Sequence, residues 1–172
     1  DRVSADESFF WVSRQAFTTL LDSIVVAQSK VPIIITFDDG NTSDATIALP
    51  ELKRRKLKAS FFVCAGRIGT SHYLDRIGLA DLIAAGMEIG THGKDHRKWR
   101  GLDEMALNAE VREARRQIED LCGIAITKAA IPFGSYDRRL LRRLHHESFE
   151  CVYTSDRGLA HAGAWLKPRD TM

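Results

Sequence analysis

The sequence predicts an α/β fold, a parallel sheet covered by helices, and three observations lead there. Short apolar, β-branched runs recur about every 25–40 residues, helical spacing fills the intervals between them, and no Pro/Gly/Ser-rich linker divides the chain. Parallel neighbours need a crossover connection, so strands that alternate with helices read as a parallel sheet. Periodicity alone leaves undecided whether such a sheet is open or closed into a barrel.

Each element has its own warrant. Phe17, Leu20, Leu21 and Ile24 follow i, i+3, i+4, i+7 spacing and predict a first helix. The run from Val31 to Thr36 reads as the first buried strand. Lys53, Arg54, Arg55 and Lys56 with Lys58 fit the end of a helix, where the dipole favours cations. Further strands are expected at Ser60–Val63, Met87–Ile89, Thr127–Ile131 and Cys151–Thr154, with a last one at Trp165–Leu166. Leu79, Leu82 and Ile83 mark a helix before the third strand. The longest helix is predicted from Asp103, its N-cap, to about Leu121, with Val111, Ile118 and Leu121 on one stripe and Gly123 as its stop. Arg138, Arg139, Arg142 and Arg143 interleave with Leu140, Leu141 and Leu144, giving an amphipathic surface helix with a solvated basic face.

Composition narrows the class. With 172 residues, 25 basic against 23 acidic side chains and 44% hydrophobic residues, the chain can bury a substantial core and has no global charge that favours nucleic acid. No apolar run reaches the roughly 18–20 residues of a membrane span. Cys64, Cys122 and Cys151 are odd in number and lack C-x-x-C spacing, so free thiols are expected. The opening Asp1-Arg2-Val3 lacks a signal-peptide profile, which leaves the compartment undetermined, cytoplasmic or extracytoplasmic. Oligomeric state is not legible.

Four segments carry chemistry. In Ile34-Ile35-Thr36-Phe37-Asp38-Asp39-Gly40 a strand runs into two adjacent carboxylates, which repel unless a cation is bound or one is protonated; they read equally as a site or as caps of the next helix. His92 and His96 are four apart, the spacing that brings two imidazoles to one face of a helical turn and to one metal ion. Pro132-Phe133-Gly134 is a turn whose backbone N–H groups could donate to a developing oxyanion, and Asp156 is a further carboxylate after a strand. His145 and His146 read as surface residues. All four segments fall at the carboxyl ends of predicted parallel strands, where α/β folds place their sites. One carboxylate and two histidines form a three-ligand set open to water and substrate, which points to metal-assisted hydrolysis of a carbonyl compound.

These motifs resemble the polysaccharide deacetylases that share the NodB homology domain, carbohydrate esterase family 4. Thr36-Phe37-Asp38-Asp39-Gly40 resembles the family's first motif, His92 to His96 its second, Pro132-Phe133-Gly134 its third, and Ser155-Asp156 the start of its fourth. The resemblance implies a distorted or incomplete (β/α)7 barrel and a single domain over residues 1–172, whether whole or a piece of a longer chain. It also implies hydrolysis of N-acetyl groups from amino sugars of a polysaccharide or glycoconjugate. Asp39, His92 and His96 would hold a divalent ion, zinc by donor type, with cobalt, nickel or iron also compatible. Asp38 would be the general base toward a metal-bound water, and the Phe133 N–H would assist at the oxyanion. Pro132, Gly134, Tyr136 and Asp156 would meet substrate; Trp99, Tyr136 and Trp165 are candidate aromatic walls, each of a kind that is more often a packing residue. Ala130 stands where the family has an arginine that pairs with the base, and the late Leu-x-His motif that supplies the acid is not recognisable. Arg169 is therefore expected to reach Asp38 from the last strand, and His161 or Asp38 itself to protonate the leaving amine. The alternative is a non-catalytic carbohydrate-binding or assembly domain that keeps the fold and metal site.

Overall fold

The computed structural model describes residues 12–28 and 31–171; the opening residues on which the leader reading rests lie outside these. Six strands form one sheet in the order β1 to β6, each pair parallel. They are β1 (Ile35–Asp39), β2 (Ala59–Val63), β3 (Glu88–Thr91), β4 (Lys128–Ala130), β5 (Cys151–Tyr153) and β6 (Leu166–Lys167). The helices are α1 (Arg14–Gln28), α2 (Leu49–Arg54), α3 (Arg76–Ala84), α4 (Glu104–Asn108), α5 (Ala114–Cys122) and α6 (Arg138–His146). The sheet curls into a distorted α/β barrel, with six strands among the described residues where the resemblance implies seven.

Alternation along the strands sorts the core. Phe61 and Val63 of β2 pack outward with Leu21, Leu52, Leu79, Leu82 and Ile118 of the covering helices. A second outer cluster joins Trp99, Leu107, Val111, Leu140 and Leu144 to Ala129 and Val152. The opposite, inner face holds a smaller group, Phe62, Ala130, Cys151 and Tyr153. Strands buried on both faces read as continuous apolar runs, which is why all five residues of β2 are buried.

Strand ends shift by a residue or two from the sequence reading, and two differences bear on the site. β1 begins at Ile35, which pairs with Ala59, the first residue of β2, so the residues before it have no ladder partner. Val31 and Ile34 are accordingly 54% exposed, and Asp38 and Asp39 are the last residues of the strand, not the loop after it. The helix expected from Asp103 to Leu121 is present, with the Asp103 carboxylate capping Ala106 N–H and Gly123 left-handed at its end, but a π-helical turn at Ala109–Glu113 interrupts it. A second π turn, Asp44–Ala48, precedes α2. Such turns widen the ladder by one residue and occur frequently at functional sites.

Two of the four arginines of α6 are ion-paired: Arg139 and Arg143 pair with Glu104, and Arg143 also meets Glu147. All three cysteines are free. Among the described residues no helix is long and apolar enough to cross a membrane.

Gly40 sets the turn out of β1. It lies at φ +74°, and a Cβ there would sit 2.9 Å from Val63 Cγ1. Gly40→Ala is expected to cost about 1–3 kcal/mol through backbone strain and overpacking, read as a lowered denaturant midpoint with an unchanged slope.

Candidate active site at the carboxyl rim of the sheet

The first two candidate side chains come from one strand end. Asp38 pairs in register with Phe62 and Asp39 with Val63, so the carboxylates occupy the carboxyl rim. Asp39 adopts φ 77°, a left-handed conformation costly for a residue with a Cβ and one that collects at functional sites. Neither carboxylate caps the next helix, whose N-cap is Ser43.

The histidine pair converges without a helix. His92 continues the ladder past β3 through its N–H to Val63 O, 2.8 Å, and the chain then turns through Gly93 at φ 87° and His96 at φ 53°. The residues after His92 form an irregular loop, so the expected helical turn is absent; the backward fold of the loop supplies what i, i+4 spacing was expected to supply. The imidazole centroids end 5.0 Å apart. His92 is buried, and its Nδ1 lies 2.8 Å from Ala130 O, an arrangement that assigns the proton to Nδ1 and leaves the Nε2 lone pair toward the carboxylates.

One donor atom from each of Asp39, His92 and His96 falls within 4.8 Å of the others. His96 Nε2 lies 3.4 Å and His92 Nε2 3.8 Å from Asp39 Oδ1. A tetrahedral zinc with ligands at about 2.0–2.1 Å has ligand–ligand edges of about 3.3–3.4 Å, so the donor set fits a divalent ion with small adjustments. Asp38 Oδ2 is 3.9 Å from His92 Nε2, beside this group. The Asp38 and Asp39 side chains are 33% and 31% exposed, which leaves the cluster open to solvent on one side.

Glu110 holds the histidine loop, and sequence reasoning missed it. It comes from the π turn between α4 and α5, is 1% exposed, and accepts hydrogen bonds from Lys94 N (2.9 Å), Asp95 N (3.2 Å) and Trp99 Nε1 (3.3 Å). A Cβ on Gly93 would lie 2.5 Å from Glu110 Oε2, so the loop can approach this carboxylate only through glycine. Trp99 thus belongs to the core and is not a wall of the site. Asp44 was also missed. It is 5% exposed with no partner for Oδ2; burial pushes its carboxyl well up, a backbone hydrogen bond from Asn41 opposes this, and the charges of Asp39 and Asp38 add to it.

Arg169, just past β6, reaches across the curled sheet to β1. Its Nη1 and Nη2 donate to Asp38 Oδ1 and Oδ2 at 2.8 and 2.7 Å, Nη1 also donates to Thr36 Oγ1 at 2.9 Å, and Nε to Thr154 O at 3.3 Å. The guanidinium lies 5.6 Å from the centroids of both Phe62 and Tyr153, within cation–π range. Ala130 belongs to the same inner cluster as these rings, so the small residue at that place and the arginine past β6 share one corner of the interior. Burial pushes the Asp38 carboxyl up, but the neighbouring His92 and Arg169 outweigh it and hold Asp38 below the usual carboxylate range.

The remaining predicted residues divide. Phe133 is left-handed at φ 59°, and its half-exposed ring packs 4.5 Å from that of His96. Pro132 is buried, and Gly134 abuts Ser155. Tyr136 donates to Asp156 at 2.6 Å, and Thr154 donates to the same carboxylate oxygen at 2.8 Å, so these groups hold each other at the ends of β4 and β5. His161 is exposed in the loop between β5 and β6, and no bond joins its side chain to the cluster among the described residues. Trp165 is engaged elsewhere, donating to Phe149 O and stacking on His145.

Fold and cluster together define a class, an α/β-barrel protein with a candidate metal centre at the carboxyl rim of its strands. The chain belongs to the polysaccharide deacetylase family, whose model matches residues 26–152. It is 26% identical over 157 residues to YxkH of Bacillus subtilis (strain 168), which carries a polysaccharide deacetylase name; the match covers 87% of this chain and only 56% of that protein. Among solved structures it is similar to the Streptococcus pyogenes deacetylase PplD, solved with acetate, at 19% identity and a TM-score of 0.83, covering all of this chain and 88% of that one. It is also similar to IcaB from Ammonifex degensii, at 22% identity and a TM-score of 0.82 over 94% of this chain and 84% of that one. At these identities the structural likenesses establish the fold.

Proposed function

We propose that this chain is a metal-dependent N-deacetylase that hydrolyses acetyl groups from amino sugars of a polysaccharide or glycoconjugate, and that the residues described above perform the reaction. The observation that carries the reading is the convergence of Asp39, His92 and His96 beside an Asp38 carboxylate gripped by Arg169. Asp39, His92 and His96 would hold the ion; zinc suits this donor set best, and cobalt, nickel or iron also fit. Such an ion supplies Lewis acidity, lowering the pKa of a bound water and polarising the acetyl carbonyl.

Asp38 takes the proton from the attacking water as the new C–O bond forms. Its lowered pKa keeps it ionised near neutral pH, and the bidentate Arg169 fixes the carboxylate plane. The Phe133 N–H donates to the carbonyl oxygen as negative charge develops there. As the C–N bond breaks, the amine takes a proton from Asp38, and acetate and the free amino sugar leave. Asp38 serves both steps because His161 stands apart from the cluster in its exposed loop.

The test is acetate release from an N-acetylated oligosaccharide. Activity is expected to vanish after chelation and to return with stoichiometric Zn²⁺. Near-stoichiometric metal with no turnover on any acetylated sugar would instead favour the non-catalytic binding module. Arg169→Ala is expected to raise the Asp38 pKa and move the acid limb of the kcat/KM profile upward, because a base must be deprotonated to act. The same depressed pKa stabilises the fold above the ordinary carboxylate range and loses that contribution as pH falls through the lowered value, so this variant should lose part of that pH dependence. A pH–rate profile unchanged from the parent would remove Arg169 from the mechanism.

A further inference from the structure

We infer that the substrate carries an anionic group, a phosphate or a carboxylate, close to the acetylated sugar, and that the loop bearing His96 reads it. This rests on the deacetylase reading above and narrows its substrate class. Lys94, Arg97, Lys98 and Arg100 fall within seven residues, with Asp95 as the only carboxylate among them. No ion pair joins any of these four cations to an acid among the described residues, whereas Arg139 and Arg143 of α6 are paired with Glu104. The whole chain has a formal charge of only +2, so no global field adds to this cluster.

Geometry directs the excess toward substrate. Trp99 is buried and tied to Glu110, which pins the middle of the loop and leaves Lys98 and Arg100 exposed on either side of it. Lys98 Nζ lies 5.8 Å from the centroid of the Phe133 ring, and that ring, 57% exposed, packs against the imidazole of His96. The ammonium over this exposed ring stands beside the candidate metal centre, where it suits an anion on the acetylated sugar or its neighbour. Arg67, 3.4 Å from Asp39 Oδ1, adds positive potential from the β2 side. Attraction of this kind acts over about 8–10 Å at moderate salt, so it raises affinity and encounter rate and weakens as salt rises.

The experiment compares three length-matched N-acetylated oligosaccharides on the Zn²⁺-loaded chain: a neutral chitooligosaccharide, the same oligomer bearing phosphate, and one alternating with uronate. At low salt an anionic oligomer is expected to have kcat/KM at least about tenfold above the neutral one, the difference lying in KM and shrinking to about threefold or less at high salt; which of the two leads identifies the anion. The double variant Lys98→Gln/Arg97→Gln should bring the anionic-to-neutral ratio near one, and Arg142→Gln on α6 should leave it as in the parent. A ratio at or below one at low salt overturns the inference. So does a ratio insensitive to salt and to the loop variant, or equal competition by single-stranded DNA. If no oligomer is hydrolysed, the deacetylase reading fails separately, and calorimetric binding of the same three ligands decides the anion preference.

Discussion

Asp38→Asn is expected to lower kcat on an N-acetylated oligosaccharide by about 10²–10⁴-fold, the contribution of a positioned general base, while the chain still binds one equivalent of metal. The two halves of the expectation separate the adjacent carboxylates. Asp38 faces Arg169 through both oxygens, whereas Asp39 Oδ1 is the atom toward which both Nε2 atoms converge. Asp39→Asn should therefore lose the metal, and Asp38→Asn should keep it. Metal content and single-turnover acetate release on the two variants, each checked by its thermal transition, read this directly. A turnover by Asp38→Asn within about fivefold of the parent would assign the base elsewhere, because loss of a general base costs at least about a hundredfold.

The asymmetry between these neighbours also explains how the pair coexists. Two carboxylates at one strand end repel, and each requires its own compensating charge. Arg169 supplies it for Asp38 from the far edge of the sheet. Arg67 stands 3.4 Å from Asp39 Oδ1, the oxygen toward which the histidines also turn.

The strand-end motifs were legible because their chemistry is local. Paired carboxylates after an apolar run, two histidines and a Pro-x-Gly turn are visible in the chain, and parallel topology brings successive strand ends to one rim. Arg169 was legible by a different route, through the resemblance: Ala130 stands where the family has an arginine for the base, and Arg169 is a cation just past the last strand. The histidine pair was found through a helical spacing that the loop does not have. Its convergence depends on Gly93 and His96 in left-handed conformations, which spacing does not encode. Glu110 and Asp44 went unread, although each left a signal. Glu110 lies on the stripe of Leu107, Val111, Ala114 and Ile118, and Asp44 is in step with Ala48 and Leu52. A carboxylate on the buried face of a helix is rare unless something pays for its burial; here the donors come from a loop, and a loop's path is the least predictable part of a sequence.

Glu110→Gln is expected to weaken metal binding by about 10–100-fold, the range for lost supporting contacts around metal ligands, and to destabilise the fold by about 1–3 kcal/mol. The carboxylate accepts two backbone N–H groups and an indole N–H, all from residues 94–99, the segment that carries His96. An amide of the same size offers one acceptor oxygen and turns an N–H toward donors, so Asp95 N loses its shorter bond to Oε1 and the three donors crowd one neutral oxygen. Glu110→Ala strands all three and is expected to cost on the order of 3–5 kcal/mol, which makes the glutamine variant the cleaner probe. Two readouts separate positioning from bulk packing. Competition with a chelator gives metal affinity, and hydrogen exchange gives protection at the amides of Lys94 and Asp95. If Glu110 orients the ligand loop, both fall together while the amides of β2 keep their protection. If metal affinity stays within about twofold while stability drops, Glu110 is a core residue and the loop holds His96 in place without it, through Gly93, His96 and their left-handed backbone alone.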